Sequence, residues 1–116
     1  SVISVGFLKF TIVSGCTSTG VVQADAYGKA DVGGIVGFNA LTASIINSHN
    51  AGTVTFSAGG AAKTGYVGGI TALAQGTITG NTNEGVITST SSAEAVHIGG
   101  IVGCWSSNTA VVNNNT

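Results

Sequence analysis

The chain has 116 residues, enough for one domain with a continuous core, and only 6% of them are charged, giving a net charge of −1. So little charge excludes a helical protein with solvated charged faces, and the 43% of apolar residues excludes ordinary disorder. Three lysines, Lys9, Lys29 and Lys63, and no arginine leave out the basic footprint that nucleic-acid binding requires, so nucleic acid is not an expected partner.

No apolar run approaches the roughly twenty residues of a membrane-crossing helix, and no basic stretch precedes an apolar one as in a signal peptide. The sequence contains no Met, and we expect it to be a mature or excised piece of a longer precursor, in keeping with an extracellular or cell-surface location.

In chain order, a first unit runs Thr11-Ile12-Val13-Ser14-Gly15-Cys16-Thr17-Ser18-Thr19-Gly20-Val21-Val22. Val32-Gly33-Gly34-Ile35-Val36-Gly37 follows, and returns as Val67-Gly68-Gly69-Ile70-Thr71-Ala72 and as Ile98-Gly99-Gly100-Ile101-Val102-Gly103. Between these elements, Ser44-Ile45-Ile46-Asn47-Ser48-His49-Asn50-Ala51-Gly52-Thr53-Val54-Thr55 aligns without a gap with residues 77–88, a spacing of 78 − 45 = 33 residues. The last segment, Ala110-Val111-Val112-Asn113-Asn114-Asn115-Thr116, aligns with the start of the same unit when Val111 is matched to Ile78.

Each unit holds three short runs rich in β-branched residues, typified by 34–37, 44–47 and 53–56, separated by Asn, Ser, Gly and Thr clusters that read as turns. Runs this short, without a 3.6-residue apolar period, are not amphipathic helices. The pattern predicts an all-β solenoid, a parallel β-helix of about three 33-residue rungs plus partial ones, three strands per rung, rising roughly 4.8 Å per rung. Ile35, Ile45, Val54, Ile70, Ile78, Ile87, Ile101 and Val111 are the expected inward residues. Asn at matching positions, such as Asn47 and Asn113, is expected to stack in hydrogen-bonded ladders.

The order Gly33-Gly34-Ile35-Val36-Gly37-Phe38-Asn39, Ser44-Ile45-Ile46-Asn47-Ser48 and Gly52-Thr53-Val54 resembles the GLUG repeat. That resemblance implies β-solenoid repeats of bacterial surface and secreted proteins, adhesins among them, and carries no catalytic residues. It divides a single domain, 1–116, into a divergent N-terminal rung, 1–30, and GLUG-like rungs, 31–116. Thr71-Ala72 departs from the pattern, Phe7-Leu8-Lys9-Phe10 has no counterpart in it, and the loop from Ser57 to Gly65 is longer than its equivalents.

Chemistry-bearing residues are few. Asp25, Asp31, Glu84 and Glu94 occur singly, whereas paired-carboxylate catalysis needs two such groups on one substrate. Asp25 and Asp31 flank a common segment, but a calcium site wants more oxygen ligands than they offer, and solvated loop acids are expected. His49, aligned with Cys16, Thr82 and Asn115, and His97, ahead of the last Gly-Gly pair, fall in different columns and read as rim residues, so no metal site is expected. The glycine pairs lack the Lys-Ser/Thr ending and following helix of a phosphate loop. No cofactor is implied, and we expect no enzyme.

Cys16 and Cys104 lie too many rungs apart for an internal disulfide. They read as half-buried free thiols, with an intermolecular bridge between stacked subunits as the sharper alternative. Tyr27, Tyr66 and Trp105 are candidates for a sugar-stacking face, though core or rim packing is the expected role. Among the Thr-x-Thr patterns at 53–55, 77–79 and 88–90, Thr55 and Thr88 share a column but Thr77 and Thr79 belong to another strand, so no regular ice-binding array is expected. Asn114-Asn115-Thr116 is a formal glycosylation sequon.

The terminal strands are left for self-association: Val2, Ile3 and Ser4 at one end, Val111, Val112, Asn113 and Asn114 at the other. A solenoid's open edges are normally blunted by charge or Pro, and the final segment has neither, so either the chain is a fragment of a longer array or its ends are satisfied by other copies. The reading is a non-enzymatic extracellular structural or adhesive protein stacking head to tail into a fibre. Its rival is a glycan- or protein-binding module of a larger cell-surface adhesin.

Overall fold

The computed structural model describes residues 11–26, 30–58, 64–91, 95–105 and 110–116. Among these residues there is no helix, hence none long and apolar enough to cross a membrane. Short strands follow one another around successive turns of a stack. The first turn carries β1 (Thr11–Ser14), β2 (Thr17–Ser18), β3 (Val22–Ala26), β4 (Ala30–Gly33) and β5 (Val36–Asn39). The second carries β6 (Ala43–Ile46), β7 (His49–Asn50), β8 (Val54–Ala58), β9 (Thr64–Gly68) and β10 (Thr71–Ala74). The third carries β11 (Thr77–Thr79), β12 (Thr82–Asn83), β13 (Ile87–Ser91), β14 (Ala95–Gly99) and β15 (Val102–Trp105), and β16 (Val111–Asn113) opens a fourth.

Each strand pairs in parallel with its counterpart one turn on, giving the sheets β1-β6-β11-β16, β2-β7-β12, β3-β8-β13, β4-β9-β14 and β5-β10-β15. The all-β parallel stack is the expected β-solenoid, but a turn has five strands where sequence runs suggested three. The two missed positions have different causes. β7 and β12 are two-residue pairings of polar residues, His49 with Thr82 and Asn50 with Asn83, held in place by the longer strands on either side. The β4, β9 and β14 strands end in the glycine that begins the Gly-Gly turn, so their strand character is hidden by a turn signal.

Apolar alternation decides what points inward. Val13, Ile45 and Ile78 form one column, Val22, Val54 and Ile87 a second, and Val32, Val67 and Ile98 a third. One core cluster gathers Ile35, Val36, Ile45, Ile70 and Ile78, and another gathers Val22, Val32, Val54, Phe56 and Val67. Complete burial of an Ile or Phe such as Ile45, Ile70, Ile78 or Phe56 stabilises by about 1.5–3 kcal/mol each. The Gly-Gly-Ile element makes the turn between the fourth and fifth strands. A Cβ on Gly68 would lie 2.7 Å from the Thr71 carbonyl carbon, so the chain reverses there only because that atom is missing.

Of the expected inward residues, Ile35, Ile45, Val54, Ile70 and Ile78 are buried, and Ile87 and Ile101 are half-buried against the clusters. Val111 is corrected: it is 42% exposed, and Val112 is the residue packed inward, because Val112 pairs with Ile78 while Val111 pairs with Thr77. The loop assigned to Ser57–Gly65 is also shorter than expected. Ser57 and Ala58 finish β8, and Thr64 and Gly65 begin β9.

Candidate assembly surface

The corner between the first and second strands is stapled by side chains. Cys16 donates its backbone amide to Ser48 Oγ at 3.2 Å, and Ser48 donates its own to Asn81 Oδ1 at 2.8 Å. Asn81 in turn donates its amide to Asn115 Oδ1 at 2.9 Å. The asparagines also grip the preceding turn from the other side, since Asn81 Nδ2 donates to the Ile45 carbonyl and Asn115 Nδ2 to that of Ile78. The Cys16 column therefore runs through Ser48, Asn81 and Asn115. His49 aligns instead with Thr17 and Thr82, which corrects its expected match to Cys16 and Asn115. Thr116 flanks Thr82, donating to the Asn81 carbonyl and accepting from the Asn83 amide.

The expected Asn47/Asn113 ladder does not form. Asn47 and Asn114 have φ of 50° and 53°, and Gly15 and Gly80 have 65° and 68°, so this column is the left-handed residue that turns the corner. Asn113 accepts a bond from Thr79 Oγ1 at 2.7 Å on the outer face. The second ladder is Asn50 Nδ2 to Asn83 Oδ1 at 2.8 Å. Each of these two side chains also closes a ring on the glycine two residues later, Gly52 or Gly85.

These asparagines explain the second glycine of the repeat. A Cβ on Gly34 would come within 2.6 Å of Asn50 Cγ, and one on Gly69 within 2.6 Å of Asn83 Nδ2. Both would also run into the carbonyl oxygen of the matching glycine one turn on, Gly69 or Gly100. A Cβ on Gly100 would meet nothing within 4 Å. The converse column points the other way: Gly85 abuts the Gly52 carbonyl and Gly52 the Gly20 carbonyl, while Gly20 faces open space. Among the described residues, Gly15 and Gly20 of the first turn and Gly100 of the third are the open glycines.

The third turn leaves interior columns uncovered. Ile98 is 51% exposed although Val67 in its column is fully buried, and Trp105 is 66% exposed although Ala74 and Asn39 in its column are fully buried. Among the described residues, no strand lies beyond β13, β14 or β15 on that side, whereas β16 covers β11.

The remaining candidates are dispersed. Val111, Val112 and Asn113 form β16 and Asn114 its turn, and Val2, Ile3 and Ser4 lie outside the described residues. Cys16 and Cys104 are free and half-buried, the one in the first turn and the other in the third, where it pairs with Leu73. Asp25 and Asp31 sit within β3 and β4 instead of a shared loop. His49 Nε2 meets Glu84 Oε2 at 2.8 Å on the surface, and His97 lies against Tyr66 with ring centroids 5.2 Å apart. Tyr66 and Trp105 belong to different sheets, and Tyr27 lies outside the described residues. Thr55 and Thr88 share a column, their hydroxyls 3.1 Å apart. No pocket and no group of three or more His, Cys, Asp or Glu fit to hold a metal is found among the described residues. The staple column is what sequence reading missed; its signal was the recurrence of Asn one residue after the left-handed position.

No curated protein and no solved structure matches the chain. Residues 30–55, which span the first Gly-Gly-Ile turn, the β6 strand and the Asn50-to-Gly52 ring, match the family model of the GLUG motif, and the stack as a whole is consistent with a GLUG-motif repeat protein.

Proposed function

We propose that the chain is a non-enzymatic structural or adhesive element of an extracellular or cell-surface protein, stacking head to tail into a fibre. The repeated parallel pairing carries this reading: turn two seats on turn one and turn three on turn two through the same columns, an interface that further copies can repeat. The GLUG match, whose family is associated with surface proteins, supports the setting. The scarcity of charge supports it too, since little repulsion opposes the approach of two copies. Electron microscopy together with light scattering over a concentration series tests it. Linear particles whose mass grows with concentration are expected, and a monodisperse monomer at every concentration overturns the proposal.

A further inference from the structure

We infer that Asn47 is a latent self-modification site, a deamidation centre that the Asn81 staple holds closed and that records, irreversibly, any opening between the second and third turns.

An asparagine followed by a small residue is chemically labile, because little side-chain bulk shields the next backbone nitrogen. Of the described asparagines in that setting, Asn39 and Asn50 are buried, whereas Asn47, ahead of Ser48, is exposed at the corner. The reaction needs only water and base. The Ser48 amide nitrogen gives up its proton and attacks Asn47 Cγ; the N–Cγ bond forms, the Cγ–Nδ2 bond breaks, and ammonia leaves with a proton from solvent. Water then opens the five-membered succinimide to aspartate or isoaspartate, with no change of oxidation state.

The fold withholds the nucleophile. Ser48 donates its amide to Asn81 Oδ1 at 2.8 Å, with Ser48 2% and Asn81 0% exposed, so base does not reach that proton. The peptide units on either side are pinned as well. The Asn47 amide donates to the Thr79 carbonyl at 3.1 Å, and the Ile46 carbonyl accepts from the Gly15 amide at 3.1 Å and from Ser48 Oγ at 3.2 Å. To swing the Ser48 nitrogen onto Asn47 Cγ, the 47–48 peptide has to leave Asn81, which strips a buried donor and acceptor of each other. Reaction therefore proceeds only through local separation of turn three from turn two.

The product does not fit back. Asn47 turns the corner with φ of 50°, in the column of Gly15, Gly80 and Asn114. Isoaspartate adds a main-chain carbon at that point, and either product sets a new carboxylate against Gly80 of the third turn. An opened corner is thus prevented from resealing.

The test follows Asn47 by peptide mass mapping during incubation at mildly alkaline pH, in the full chain as wild type, Asn81→Ala and Ile70→Ala, and in an unstructured peptide of residues 44–51. Ile70→Ala lowers stability through the core and leaves the staple's groups in place. Wild type should deamidate far more slowly than the peptide. Asn81→Ala should deamidate roughly tenfold faster than Ile70→Ala when urea sets the two to equal global stability. Wild type reacting as fast as the peptide overturns the proposal, as does Asn81→Ala reacting no faster than wild type or than the matched Ile70→Ala. Wild type alone gives a second test, needed if Asn81→Ala does not fold. In a urea series below the unfolding midpoint, hydrogen exchange at the Ser48 amide and deamidation of Asn47 should rise together. Deamidation that rises while Ser48 stays protected overturns the staple's role.

Discussion

Asn81 holds Ser48 from the following turn: its Oδ1 accepts the Ser48 amide at 2.8 Å, while its Nδ2 donates to the Ile45 carbonyl at 2.9 Å. Asn81 is fully buried, so water does not replace the side chain when it is removed. Asn81→Ala leaves a donor and an acceptor unpaired, at about 1–3 kcal/mol for each such group. Urea denaturation should show a fall in midpoint well beyond that of an exposed substitution such as Asn113→Ala. Equal effects at the two sites would sink the staple argument.

Gly80 combines two constraints. Its φ is 68°, and a Cβ there would press on the amide of Asn47, whose Cγ would lie at 3.4 Å. Gly80→Ala should lose about 1–2 kcal/mol from the left-handed backbone alone, with the Asn47 contact added to it. In an Asn47→Gly background the contact term vanishes, so the double variant should be more stable than the sum of the single effects predicts. Strict additivity, measured by thermal unfolding, would rule out the contact.

Much of this arrangement was legible in the chain, and the parts that were not share a cause. Gly33-Gly34-Ile35 and its two returns gave the turn and the repeat because no other residue tolerates the approach at the first glycine of each pair, Gly33, Gly68 and Gly99. Thr55 and Thr88 were placed in one column by spacing alone, as observed. Val111 and Val112 could not be told apart, since two adjacent valines satisfy a period of two in either phase. Pairing of Val112 with Ile78 decides between them. His49-Asn50 has no strand signal of its own and becomes a strand because its neighbours on both sides are already paired. The same logic hid the staple: whether an Asn turns a corner, as Asn47 does, or grips the turn before it, as Asn81 does, depends on a shift of one position.

Gly69 separates the two faces of the repeat. Gly69→Ala drives a methyl into Asn83 and the Gly100 carbonyl, both in the packed third turn. It should destabilise by about 1–3 kcal/mol, the usual range for overpacking, whereas Gly100→Ala should stay within about 0.5 kcal/mol of wild type. Thermal unfolding of the two at low concentration is the check, and a large loss at Gly100 would contradict the open end.

The His49–Glu84 pair should matter little. Its side chains are 39% and 67% exposed, so solvent screens the attraction. Glu84→Gln is expected to change stability by less than about 1 kcal/mol, with no growth of the effect at low salt beyond that bound. A larger change would mean that the pair supports the Asn83-to-Gly85 ring beside it.

The thiols give a different readout. Cys104 shares a column with Leu73 and Phe38, not with Cys16, so stacking that repeats the in-chain columns does not bring the two thiols together. Non-reducing electrophoresis of assembled protein should therefore show monomer. A disulfide-linked dimer would report a sideways contact between stacks.

The staples have a direction. In the asparagine links the later turn carries the side chain and the earlier turn supplies the backbone groups it holds, from Asn81 onto Ser48 and Ile45 and from Asn115 onto Asn81 and Ile78. Peeling from the C-terminal side strips both partners from a buried backbone one turn below, whereas peeling from the other side frees only amide heads that water can take up. Under tension the stack should thus behave as a ratchet, giving way more readily at its first turn than at its last.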